Sequence, residues 1–239
     1  MDVALPNLFG EHGRPDYNSF VATFVAAVAR GERPDVSDRE IELLHAQAAA
    51  QTLIDAATGT PHGAVRPRGT RTTVATVLQT LQSQHALYRT GDIPPLGSRL
   101  KTDLFNSLRA ALVREHLPIP LVRRTDTRGA LVETVRVHGG SGQTFVSTTR
   151  PGVTRGQHLH LRKVERFVVV SGQARISLRK VLSNETLHFD VSGEEPVAVD
   201  MPTLWAHSIT NTGDRELTTL FWTNELFDTE DTDTYPEDV

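Results

Sequence analysis

Near residue 119 the spacing of apolar residues changes period, and that change constrains the fold more than any other feature of the chain. Upstream, apolar residues recur at helical spacing. Phe20, Val21, Phe24, Val25 and Val28 lie at i, i+4 and i+8 within Asp16–Gly31, and Gly31 is placed to end a helix. Thr72–Tyr88 and Leu100–Glu115 read as two further amphipathic helices, separated by a break at Ile93–Gly97. Ser37–Ala57 opens with Ser-Asp-Arg-Glu, the pattern of a capping box, and reads as a helix. The alternative is a short strand over Ile41–His45 followed by a helix from Ala46.

Downstream, the period is two. Val135–His138, Thr144–Thr148, Gln157–Leu161, Phe167–Val170, Ala174–Arg179, Thr186–Asp190 and Thr218–Trp222 are short β-prone runs. Gly139-Gly140, Pro151-Gly152, Ser171-Gly172, Ser192-Gly193 and Thr212-Gly213 punctuate them. Many short strands between regular turns describe a sandwich or barrel. The expectation is an α+β chain with a mostly helical part over residues 1–118 and an all-β part over 119–239.

Composition excludes several functions. The chain has 239 residues and a formal charge of −4, without the basic excess of a nucleic-acid binder. Seven of its acids lie between Glu225 and Val239, and without them the charge would be +3. There is no cysteine, so disulfides, thiolate nucleophiles and Cys-ligated metals are excluded. No apolar run has the length of a membrane span, and Met1–Gly10 lacks the pattern of a signal peptide. The expectation is a soluble, cytoplasmic protein.

Among ten histidines, three stand in a patterned context. His158 and His160 share one face of a strand by period two. Glu165 needs a turn through Arg162–Val164 to return to that face, and His207 arrives from a distant strand. Three nitrogens and one oxygen suit Zn, Fe(II), Mn, Ni or Co without choosing among them. The reading to set against this is a polar cluster inside a barrel that holds no metal.

The full spacing is Gly152-x5-His158-x-His160-x4-Glu165-x6-Gly172, then Pro202-x4-His207-x3-Asn211. It resembles the two-part motif of the cupin superfamily, with Leu204 where a Gly is usual. The resemblance extends further. GQTFVSTTRPGVTRGQHLHLRKVERFVVVSGQARI and VDMPTLWAHSITNTGDRELTTLFWTNELFDTEDTDTY are similar to the C-terminal cupin of bifunctional capsular-sugar enzymes, which fuse a short-chain dehydrogenase/reductase to a cupin. In that family the cupin binds zinc and epimerises C3 of a UDP-2-acetamido-2,6-dideoxy-4-hexulose, and the dehydrogenase reduces the C4 ketone with NADPH. Asp126-x-Arg128-Gly129 resembles the entry of nucleotide-sugar 3,5-epimerases.

LPNLFGEHGRPDYNSFVATF resembles the segment following the catalytic helix of an extended short-chain dehydrogenase. The Gly-rich fingerprint is absent, and no Tyr is followed four residues later by Lys. The resemblance therefore implies a truncated dehydrogenase-like lobe over 1–118 with no NAD(P)H binding, either as a remnant or because Met1 is not the native start.

It further implies a double-stranded β-helix barrel over 119–239 and a divalent metal, zinc in the family, on His158, His160, Glu165 and His207. Lys163 and Glu165 are the acid/base candidates. Arg128, Arg155 and Trp205 are the candidates for holding a UDP-sugar, with barrel packing the alternative role for Trp205. Leu159 and Trp205 stand where the family often has aromatics and Tyr. A homodimer through the cupin is expected. Two other classes stay open: a sugar-nucleotide-binding or dimerisation module without catalysis, and another metal cupin enzyme such as a dioxygenase. The acidic tail is expected to be solvated or at a dimer edge, with its start packed locally.

Overall fold

A computed structural model describes residues 2–59 and 63–239. The chain forms two compact units, one of Met1–Ala86 with Ser98–Leu112, the other of Leu87–Gly97 with Val113–Val239.

The first unit begins with β1 (Asp2–Val3), β2 (Asn7–Phe9) and α1 (Phe20–Ala29). Ser19 caps α1 by accepting from the Ala22 amide, and the helix buries Val21, Phe24, Val25 and Val28. At its end Gly31 takes φ +75°, while the Arg30, Gly31 and Glu32 amides close on Ala26, Val28 and Ala27 carbonyls. Then follow β3 (Glu40–His45), α2 (Ala46–Thr58), β4 (Ala64–Val65), β5 (Thr70–Thr73), α3 (Val74–Tyr88) and α4 (Arg99–His116). The division between the units falls within α3 and α4. Strand β3 lies between β2, which is parallel to it, and β5, which is antiparallel.

The expectation of a mostly helical N-terminal part is corrected: among the described residues, five strands accompany the helices. Of the two readings of residues 37–57, the strand followed by a helix from Ala46 is the one observed. The Ser-Asp-Arg-Glu segment does not cap its own helix. Asp38 Oδ1 accepts from the Ala75 amide at 3.0 Å, so it caps α3. Leu43 and Leu44 point to opposite faces of β3 and are both buried, so both faces of the strand are covered there.

The second unit continues with β6 (Ile119–Pro120), the hairpin β7 (Arg123–Asp126) and β8 (Gly129–Val132), then β9 (Gln143–Thr149), β10 (Thr154–Leu159), β11 (Glu165–Ser171), β12 (Gln173–Lys180), β13 (Thr186–Ser192), β14 (Val197–Met201), β15 (Trp205–Asn211), β16 (Leu217–Thr223) and β17 (Tyr235–Pro236). Apart from the separate β7–β8 hairpin they form two antiparallel five-stranded sheets, ordered β13-β12-β15-β10-β17 and β6-β14-β11-β16-β9. Except for the β12–β13 hairpin, successive strands from β9 to β16 switch between the sheets, which is the order of a jelly roll, the architecture that includes cupins. Phe167 on β11 meets His207 on β15 edge-on at 5.7 Å, so these faces pack against each other.

Among the described residues the strands pair as two facing sheets, as in a double-stranded β-helix, and no pairing closes them into one ring. Val135–His138 is not a strand. It makes one isolated bridge, Val137 to Ile93. Behind β11, Arg166 and Asp200 form a bidentate ion pair at 2.6 and 3.0 Å, each about 1% exposed, and Arg166 Nη1 also donates to the Gly91 carbonyl. No helix among the described residues is long and apolar enough to cross a membrane.

Candidate metal centre

Strand β10 does not run straight into the site. Its pairing with β15 shifts between Gly156 and His158, and Gln157 bulges out at φ +62°. Gly156 has φ +98°, and a Cβ there would lie 2.6 Å from the His207 carbonyl oxygen. Only glycine permits this close approach. After the bulge His158 stands in register with His207. His160 follows just past the strand end, and the turn 161–164 delivers Glu165 as the first residue of β11 in the opposite sheet.

The ligand atoms of His158, His160, Glu165 and His207 all lie within 4.8 Å of one another. Glu165 Oε2 is 3.1 Å from His160 Nε2 and 3.4 Å from His207 Nε2. His160, Glu165 and His207 are buried and His158 is half-buried. Burial pushes His158 down to about 4, and positive charge on His207 and His160 would add to that. Burial opposes ionisation of Glu165, but the hydrogen bond from His160 and the charge of His160 and His207 beside it prevail and lower it well below the usual carboxylate range. Burial also opposes protonation of His160, yet Glu165 and the Asp233 carbonyl raise it.

The donor set fits a divalent cation. His207 Nε2 is buried and has no hydrogen-bond partner. His160 Nδ1 lies 2.5 Å from the Asp233 carbonyl, which can only accept, so Nδ1 carries hydrogen and Nε2 is the nitrogen left for a metal. Three imidazole nitrogens and one carboxylate suit several first-row metals.

The other candidate residues are placed differently. The Lys163 ammonium donates to the Thr232 carbonyl. Arg155 is exposed and donates to Thr149 Oγ1 and the Thr148 carbonyl. Arg128 sits in the turn between β7 and β8, exposed and ion-paired with Asp126. Trp205 is 2% exposed, on the face of β15 that His207 shares, and its indole Nε1 has no hydrogen-bond partner. The structure thus brings together the four metal candidates and holds the two arginines in contacts of their own.

Sequence reasoning missed Asp233. It is 3% exposed, and its carboxylate accepts the consecutive amides of Leu161, Arg162 and Lys163. The acidic tail, expected to be solvated or at a dimer edge, is tied down beyond its start: Arg162 pairs with Glu225 and Asp231, Arg179 with Glu237, and β17 adds to β10.

Residues 124–235 match the family model described as the polysaccharide biosynthesis C-terminal domain. The chain is 32% identical over 237 residues to the UDP-2-acetamido-2,6-beta-L-arabino-hexul-4-ose reductase of Pseudomonas aeruginosa. That alignment takes in 97% of this chain, which spans 63% of the length of that curated relative. Among solved structures it is similar to the capsular polysaccharide assembling protein CapF from Staphylococcus aureus, with TM-score 0.53 and 33% identity over 99% of this chain and 67% of that one. A further crystal structure of CapF gives TM-score 0.52 and 34% identity, covering 98% of this chain and 70% of the other. With that identity over that share of both chains, and with the jelly roll lying in the region matched by the polysaccharide-biosynthesis model, this chain belongs to the family of the capsular polysaccharide assembling protein CapF.

Proposed function

We propose that this chain epimerises C3 of a UDP-2-acetamido-2,6-dideoxy-4-hexulose in the making of a surface-polysaccharide sugar, in a metal-dependent reaction. The observation that carries the reading is the convergence of His158, His160, Glu165 and His207 between the two sheets of the jelly roll. Membership of the capsular-polysaccharide family supports the substrate class.

In such a sugar the C4 ketone acidifies the C3 proton. A divalent cation on these four residues, zinc by the family resemblance, supplies Lewis-acid polarisation. The chain supplies the rest. A base takes the C3 proton, the C–H electron pair moves toward the C4 oxygen, and an acid returns a proton to the other face of C3. Glu165 and Lys163 are the proposed pair. Glu165 is ionised at neutral pH and lies among the histidines. Lys163 takes part once its ammonium leaves the Thr232 carbonyl. Arg155 and Arg128 are proposed for the pyrophosphate, a match for the guanidinium fork, and the unpartnered Trp205 indole N–H for a polar group of the sugar.

Residues 1–118 are proposed as a dehydrogenase-like lobe and 119–239 as the cupin. The proposed homodimer uses the edge strand β9, which carries no charge or proline and exposes Phe145 and Val146.

The engagement of Lys163 by Thr232 favours a second reading, a module that binds the sugar nucleotide without turning it over. Hydrogen exchange at C3 separates the two. Metal-loaded protein is mixed with the 4-hexulose in deuterated water and followed by NMR. Epimerisation predicts loss of the C3 proton signal, abolished in His158→Ala and His207→Ala. Intact binding of the sugar nucleotide without exchange overturns catalysis and leaves the binding module.

A further inference from the structure

The C-terminal segment from Glu225 onward behaves as a strap over the loop that joins the metal-ligand strands. Its central residue is Asp233, at φ +44°. Two different groups of this residue reach the site. Its side chain accepts three successive amides, Leu161 to Oδ1 at 3.1 Å and Arg162 and Lys163 to Oδ2 at 3.0 and 2.9 Å. Successive amides turned toward one anion make a concave nest. That nest is the turn between His160 and Glu165. Its main-chain carbonyl accepts from His160 Nδ1. Asp233 therefore holds the ring of one ligand and the turn that brings in the next.

The strap is anchored on both sides of this point. Arg162 pairs with Glu225 and Asp231. Beyond it, the Glu237 amide donates to the Gln157 carbonyl and the Val239 amide to Gln157 Oε1, at the bulge that sets His158.

We propose that the C-terminal strap is part of the metal centre, with Asp233 as the positioning residue that fixes His160 and the 161–163 turn, so that strap docking and cation binding reinforce each other. This rests on the metal reading of the four-residue cluster. Outer partners that orient a ligating histidine are worth 10–100-fold in metal affinity, and the coupling is reciprocal by linkage.

The test uses the full chain stripped of metal and titrated with Zn(II) against a chromophoric chelator. Asp233→Ala is expected to bind Zn(II) about 10–100-fold more weakly than wild type. Asp190→Ala, which removes only the exposed partner of Arg175 away from the strap, keeps wild-type affinity. A second measurement needs no variant: Zn(II) is expected to slow amide hydrogen exchange in residues 232–239 of the wild-type protein by about tenfold or more. Wild-type affinity in a folded Asp233→Ala, or exchange in the strap that ignores Zn(II), overturns the proposal. A wild-type chain that takes up no Zn(II) overturns it together with the metal reading.

Discussion

His160 and Glu165 are five residues apart in sequence, lie at the ends of strands in facing sheets, and meet with Nε2 and Oε2 3.1 Å apart. The contact depends on a turn whose amides point at Asp233 and on a bulge upstream that sets the phase of β10. Each of these supports can be removed singly.

Gly156 is the first. A side chain there meets backbone 2.6 Å away at a φ that L-residues rarely adopt. Gly156→Ala is expected to cost at least about 1–3 kcal/mol of stability and to weaken metal uptake, because β15 or His158 must shift. Thermal melting and metal titration check both. A variant with wild-type melting and metal affinity would show that the close approach of β10 to β15 is not required.

A separate support is the ion pair behind β11, the strand that begins with Glu165. Arg166 and Asp200 are both about 1% exposed. Asp200→Ala leaves a guanidinium buried with only the Gly91 carbonyl of its three recorded acceptors, and is expected to cost about 3–5 kcal/mol. The double change Arg166→Met with Asp200→Leu is expected to recover much of that loss. Urea unfolding reads both; a single variant as stable as wild type contradicts this account of the pair.

Acid sensitivity of the metal-free protein follows from His158. In the folded chain it titrates at about 4, in the unfolded chain near the ordinary 6.5. The unfolded chain therefore takes up the proton first. Stability from this residue is complete above pH 6.5 and is lost as pH falls from there toward 4. His116, lowered by burial, acts with the same sign, and His160, raised, with the opposite one. His158→Gln is expected to flatten the fall of unfolding free energy between pH 6.5 and 4. An unchanged slope counts against a neutral, half-buried His158.

The convergence of the four residues was legible in the sequence because period two and one required turn already place three of them together, and the spacing around Pro202 adds His207. The helices α1, α3 and α4 were legible from their periodicity. The first unit's strands were less so. Apart from β3 they are runs of two to four residues, which carry no period, and Asp38 spends its carboxylate on α3 rather than on its own segment. Val135–His138 has the residues of a strand but only Ile93 to pair with. The strap was illegible for another reason. Residues 228–238 have no apolar pattern, and what holds them is charge and main-chain hydrogen bonding to partners about 60 to 80 residues away.

The central claim is that His158, His160, Glu165 and His207 hold one divalent cation, and metal content tests it most directly. Full chain is purified, stripped with chelator, reloaded with Zn(II), desalted and measured by elemental analysis. The account predicts close to one equivalent per chain in the wild type and a loss of at least tenfold in retained metal for His160→Ala and for His207→Ala. A wild type that retains no Zn(II), Mn(II), Fe(II), Co(II) or Ni(II), or variants that keep a full equivalent, would contradict it.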